Sequence, residues 1–253
     1  MSLMQMLLGA GGRQNDATGG TITYSGDYQI HTFTSGGNFR VTLAGVPTAV
    51  VDVLVVGAGE TGAEGSTNEE GDPPEISSNG GGGGPGGAGG RVISSATLTM
   101  SSFVLNTNYA VTVGTTNSAS SILPYNGGSF TAAGAYTAGG GGGGSPGTTG
   151  TASSITGTSV VYGSSGGGGG DGKNQGVSGT NPGGAGGTGA GNGGTGGASQ
   201  SNGSAGAAAT GYGGGGGGGG GAGGDAGTLR SGGAGGSFYQ GVVILRFKYQ
   251  NAA

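Results

Sequence analysis

Gly83-Gly84-Pro85-Gly86-Gly87-Ala88-Gly89-Gly90-Arg91 carries a non-glycine residue at every third position. The same beat returns in Ser231-Gly232-Gly233-Ala234-Gly235-Gly236-Ser237. Between 183 and 198 it falls at Ala185 and Thr188 and then, after a slip at Ala190, at Asn192, Thr195 and Ala198. A flexible linker has no reason to keep period three. The polyproline II helix does: it has three residues per turn, rises about 3.1 Å per residue and makes no internal hydrogen bonds. Its N–H and C=O groups point outward, so several such helices can bond side by side. Two glycine faces and one decorated face describe a helix packed on two sides and exposed on the third. The all-glycine stretch 213–221 can pack on all three sides and would span roughly 28 Å. Collagen, the other period-three structure, needs one glycine in three and abundant proline; here glycine fills two positions in three, and the chain has 7 prolines.

Composition agrees. Of 253 residues, 75 are glycine, about four times ordinary usage. Hydrophobic residues make up 31%, many of them alanine, so an ordinary large core is excluded. Ordering a residue costs roughly 1–2 kcal/mol, and glycine has no side chain to offset it. Glycine tracts at 80–90, 139–144, 166–170, 183–197, 213–224 and 232–236 must therefore be held by dense backbone hydrogen bonding. One isolated run cannot hold, so the bundle has to form cooperatively on a β-rich seat.

That seat is legible as short β-branched or aromatic runs: Thr21–Tyr24, Tyr28–Phe33, Asn38–Leu43, Val50–Val56, Val92–Leu98, Tyr109–Val113 and Val242–Tyr249. Gly26 and the pair Gly36-Gly37 read as hairpin turns. The last run reads as a strand with one buried face. The expected fold is mostly β plus irregular structure: a small antiparallel β-rich portion carrying a packed bundle of polyglycine II helices. The expected organisation is an N-terminal docking peptide at 1–18, then a β-rich portion at 19–138 with an acidic loop at 60–79 and a first glycine run at 80–90. A polyglycine II bundle follows at 139–253, with a closing C-terminal strand at 241–249.

Charge and residue types exclude several functions. The 7 Lys and Arg residues are scattered and the net charge is −4, so there is no basic stripe for nucleic acid. With no cysteine there is no disulfide, thiolate metal site or Cys nucleophile. Gly57-Ala58-Gly59-Glu60-Thr61-Gly62 after Val53–Val56 matches the dinucleotide fingerprint, but no helical pattern follows to hold a pyrophosphate. Glu60, Glu64, Glu69, Glu70, Asp72 and Glu75 lack calcium-loop spacing and read as a solvated, mobile loop, with a weak cation site or partner contact as the other reading. His31, the single histidine, lies in a strand-like run and is expected half-buried or exposed, with no nucleophile elbow to serve. No catalytic, cofactor-binding or metal-ligating residue is expected, and the chain reads as non-enzymatic.

Two sets of residues read as contacts. Tyr125, Tyr136, Tyr162 and Tyr212 sit in or beside connectors between glycine runs. Tyrosine offers wide contact area with a polar tip and suits recognition, but it equally suits capping the end of a glycine layer. Leu3, Met4, Met6, Leu7 and Leu8 form an apolar N-terminus with no positive region, too short to span a membrane. Such a segment fits docking into a groove of a partner.

The order of elements resembles the glycine-rich domains of phage tail proteins: Tyr24, Phe33 and Phe39–Leu43, then Val53–Gly57, a glycine tract ending in Arg91-Val92-Ile93, Tyr109–Gly114, Asn126–Phe130, polyglycine runs and Gly241–Arg246. This covers about residues 19–249. The glycine architecture is also similar to the distal tail-fibre adhesins of T-even-like phages. In that family a polyglycine II sandwich carries variable tip loops that bind host receptors. The chain departs from the pattern in its acidic insert 60–79 and its short N-terminal segment. The resemblance implies a virion tail component, a tail fibre or tip adhesin acting at the host cell surface. Its partners would be other virion tail proteins and a host surface glycan or outer-membrane protein, without membrane insertion; a homo-oligomer in the virion fits the same reading. The alternative is a purely structural virion tail protein without receptor binding. An ice-binding protein would need flat ranks of threonine, and only Thr188 and Thr195 hint at one.

Overall fold

The computed structural model describes residues 14–68, 79–125, 128–225 and 228–249. The apolar segment with Leu3, Met4, Met6, Leu7 and Leu8, and the acidic residues Glu69, Glu70, Asp72 and Glu75, lie outside the described residues. The strands are β1 (Asn15–Thr18), β2 (Thr21–Ser25), β3 (Tyr28–Phe33), β4 (Gly37–Ala44), β5 (Val50–Val56), β6 (Val92–Thr99), β7 (Tyr109–Thr112), β8 (Ser120–Tyr125), β9 (Gly128–Ala132), β10 (Thr151–Ser153), β11 (Val160–Tyr162) and β12 (Val242–Lys248). A 3-10 turn covers Met100–Ser102, and the described residues contain no α-helix. The fold is mostly β with irregular regions.

Two five-stranded antiparallel sheets, ordered β1-β4-β7-β8-β9 and β2-β3-β12-β5-β6, pack face to face. Their shared core joins Phe39, Val41 and Val111 of the first to Val51, Val53, Val55, Leu245 and Phe247 of the second. The last strand sits at the centre of the second sheet, between β3 and β5. It does not have a single buried face, because Val242 and Ile244 also pack outward with Leu54, Ile155 and Tyr162 under the β10–β11 hairpin. Gly26 has φ +56 in the β2–β3 turn, as expected. Gly36-Gly37 makes no hairpin: β3 and β4 belong to different sheets, and residues 34–36 cross between them. His31 is fully buried, edge-on to Phe39 and stacked on Phe247, with Nδ1 2.8 Å from the Gly19 carbonyl. Its neighbours across the ladder, Ile22 and Leu245, carry it into the sheet centre.

The glycine runs are ordered by backbone hydrogen bonds that repeat every third residue. In the run 213–224 the N–H groups of 215, 218 and 221 donate to 164, 167 and 170; those of 216, 219 and 222 donate to 60, 63 and 66; those of 217, 220 and 223 donate to 207, 204 and 201. Its carbonyls accept from 81, 84, 87 and 90, from 191, 194, 197 and 200, and from 233, 236 and 239. Six segments therefore surround it, three along its own direction and three against. The run 164–173 is similarly enclosed, bonding to 81–87, 140–144, 145–148, 184–187, 191–197 and 215–221. A β-strand, with period two, reaches two neighbours and needs side chains above and below. Period three without side chains reaches six and satisfies nearly all of the interior N–H and C=O groups.

Side chains are absent where they could not fit. A Cβ on Gly216 would stand 1.9 Å from the Gly236 carbonyl oxygen, and one on Gly219 1.8 Å from that of Gly233. Residues 213–224 are all buried, whereas along 231–237 exposure cycles with period three and Ser231, Ala234 and Ser237 face outward. The segment 60–68 is not the loop expected: it lies along 213–224, with Gly59, Gly62 and Gly65 facing Gly214, Gly217 and Gly220. The dinucleotide-like spacing at Gly57–Gly62 is thus a piece of this period-three register, and no helix follows it.

Candidate functional site

Runs that connect to the sandwich do so at one end of the array. Gly57 follows β5, Arg91 precedes β6, Gly163 follows β11 and Gly241 precedes β12. The described connector residues 173–181, 198–201, 224–225 and 228–231 consequently gather at the other end, beside residues 68 and 80. Hydrogen bonds tie them together there. The Gly176 N–H donates to Ser199 Oγ (3.0 Å), the Gly80 N–H to Asn174 Oδ1 (3.0 Å), the Gln200 N–H to the Gly224 carbonyl (2.9 Å) and the Gly224 N–H to the Lys173 carbonyl (2.6 Å). The turn 142–144 stops just short of this end, where Gly143 lies beside the Asp171 carboxylate.

Asn68 and Asp225 fix the middle of this tip. Asn68 is buried; its Nδ2 donates to the Thr228 carbonyl (3.1 Å) and its Oδ1 accepts the Arg230 N–H (2.6 Å). Arg230 Nε and Nη2 both donate to Asp225 Oδ2, at 2.9 and 2.7 Å. A buried amide with both ends satisfied and a charge-assisted pair beside it make a rigid base. Two apolar side chains are displayed there: Leu229 is 62% exposed and Val177 46%. Gly176 and Gly179, at φ +79 and +89, face open space and let the 173–181 connector turn outward.

The tyrosines lie elsewhere. Tyr162 is buried between β5, β12 and the β10–β11 hairpin, and burial pushes its phenol pKa up. Tyr212 packs against the same cluster, edge-on to Tyr239 at 5.3 Å, and burial raises its pKa too. Both rings pack at the sandwich end of the array, Tyr162 fully buried and Tyr212 partly so. Tyr125 is in β8, and its side chain lies outside the described residues. Tyr136 is displayed, 63% exposed, with the Arg91 guanidinium 5.1 Å from its ring centre. The residues that the sequence reading missed, Val177, Leu229 and the Asn68–Asp225–Arg230 group, carried one available signal: each interrupts or ends a period-three register.

Among the described residues no three His, Asp or Glu side chains gather to hold a metal ion, and no helix is long and apolar enough to cross a membrane. No protein-family model and no curated protein matches the chain in sequence.

Proposed function

We propose that the glycine runs are polyglycine II helices packed as a bundle on the β-sandwich. We further propose that the protein is a component of a phage tail, a fibre or tip adhesin whose far connectors bind a receptor on the host cell. The third-residue hydrogen-bond register and the three-step cycle of exposure along 231–237 support the helix reading. The single observation that carries the receptor reading is the gathering of the described connector residues 173–181, 198–201, 224–225 and 228–231 at the end remote from the sandwich. A hydrogen-bonded array that ends in a cluster of loops presents loop side chains on a firm frame, which is the arrangement binding surfaces favour. Exposed Leu229 and Val177 supply the apolar contact that such a surface needs.

The test is a paired change at the tip, Val177→Asp with Leu229→Asp, in virions and in the isolated chain. Particles are expected to assemble normally and to adsorb to host cells at least roughly tenfold less, since one interface hot spot alone is worth that much. Unchanged adsorption with normal assembly would instead favour a structural tail part.

A further inference from the structure

We propose that a second, separate site binds an anionic saccharide in the cleft between Arg91, Tyr136, Thr137, Thr149 and Thr151. The cleft has a volume of about 340 Å³ and lies where the run 80–91 passes into β6 and the segment 145–150 into β10. That volume is at the lower end for small-molecule sites. It belongs to the sandwich end of the array, so it stands or falls independently of the tip connectors.

Arg91 supplies the charge. Arg230 pairs with Asp225 and Arg246 with Asp52, while Arg40 donates to Asn106. The Arg91 guanidinium, among the described residues, has neither a carboxylate nor a hydrogen-bond acceptor; it has only the face of Tyr136. A cation–π contact orients a guanidinium without neutralising it or occupying its donors. No carboxylate lines the cleft. A planar fork held this way matches a carboxylate or phosphate.

The rest of the lining suits a sugar ring. Thr137, Thr149 and Thr151 line the cleft and carry hydroxyls able both to donate and to accept. Tyr136 leaves most of its ring to solvent, an apolar face with a polar tip for the C–H side of a pyranose. Between Thr149 and Thr151 a Cβ on Gly150 would stand 1.9 Å from the Tyr162 carbonyl oxygen, so this wall of the cleft is seated directly on the backbone of the neighbouring strand.

The backbone is built to hold this arrangement. Ala135 adopts φ +43, a left-handed conformation that costs a non-glycine residue energy and that clusters at ligand sites. Its N–H donates to the Ala58 carbonyl (3.1 Å), and the next two N–H groups, of Tyr136 and Thr137, both donate to the Gly89 carbonyl at 2.7 and 2.8 Å. The turn that carries the aromatic ring is thereby pinned to the run that carries the arginine.

Calorimetric titration of the full chain tests the site with three probes: tetragalacturonate, its methyl ester and glucose 6-phosphate. Binding of tetragalacturonate is expected at one site, with the ester and the Arg91→Gln variant each weaker by roughly tenfold or more, the worth of a charge-assisted hydrogen bond. Tyr136→Leu should weaken it severalfold, and Lys173→Gln at the far end should not. Binding of glucose 6-phosphate in place of tetragalacturonate would assign the anion as phosphate and support the site equally. Failure of both anions to bind, equal binding of the ester, or a folded Arg91→Gln chain that binds like the original would overturn it. Should Arg91→Gln unfold, Thr149→Val answers in its place, with a severalfold loss expected and unchanged affinity contradicting the proposal.

Discussion

In β12, Val243, Leu245 and Phe247 are fully buried against the opposite sheet, and Val242 and Ile244 are buried on the outer face. In the run 213–224 every residue is equally buried, yet only Ala222 among them, apart from glycines, contributes a side chain. The two interiors exclude water by opposite means. The sandwich does so with apolar side chains, each worth about 1.5–3 kcal/mol on full burial. The glycine array does so with backbone alone, nearly every N–H and C=O turned to a neighbour at about 1 kcal/mol net per bond. Sequence tolerance should therefore differ: the sandwich tolerates apolar exchange of similar volume, while an interior run tolerates no side chain at all.

The largest effect should come from testing that contrast inside the array. Gly216→Val sets a Cβ 1.9 Å from a backbone oxygen that cannot move aside, and is expected to cost more than about 4 kcal/mol or to prevent folding. Ala185→Val, on an exposed position of a neighbouring run, should stay within about 0.5 kcal/mol. Thermal unfolding of the two variants reads both; equal shifts would break the assignment of faces.

A smaller and more local effect is expected at the tip. Asn68→Ala leaves the Arg230 N–H and the Thr228 carbonyl without their partner and should cost about 1–3 kcal/mol. The loss should appear as faster amide exchange around 228–231 while β12 stays protected. Equal loosening of both regions would mean that the tip is not an independent unit.

The smallest effect concerns the sandwich. Burial lowers the His31 pKa below 6.5, outweighing the Gly19 carbonyl and the Asp16 charge, which both raise it. The unfolded chain therefore takes up the proton first, so stability should be full above pH 6.5 and fall as pH drops through that value. His31→Phe should flatten this part of the pH profile, measured by denaturant unfolding between pH 7.5 and 5. An unchanged slope would place the responsible group elsewhere.

How much of this was legible in the sequence follows from the same contrast. Strands rich in Val, Ile and Phe, such as 50–56 and 28–33, announced themselves with correct ends. Strands β1, β8 and β9, none of which carries a run of β-branched or aromatic residues, did not, because their pairing depends on distant partners and not on their own pattern. Glycine spacing was informative beyond its use in finding runs. Along 201–209 glycine occupies only positions 203 and 206, and the segment lies on the outside of the array with most positions exposed. Along 59–65 it again marks one position in three, which is why that stretch reads as an acidic loop until its neighbours are known. The tip was illegible for a related reason: Asn68, Asp225 and Arg230 meet across about 160 residues of chain, and nothing local marks them as partners.

The glycine runs are expected to form a cooperative, hydrogen-bonded interior as solid as the sandwich core. Amide hydrogen exchange on the intact chain tests it directly, with 213–224 compared against β12. Protection of the run by the full unfolding free energy, equal to that of Val243–Leu245, is the result this account predicts. Exchange of 213–224 at the rate of an open chain, with β12 still protected, would contradict it.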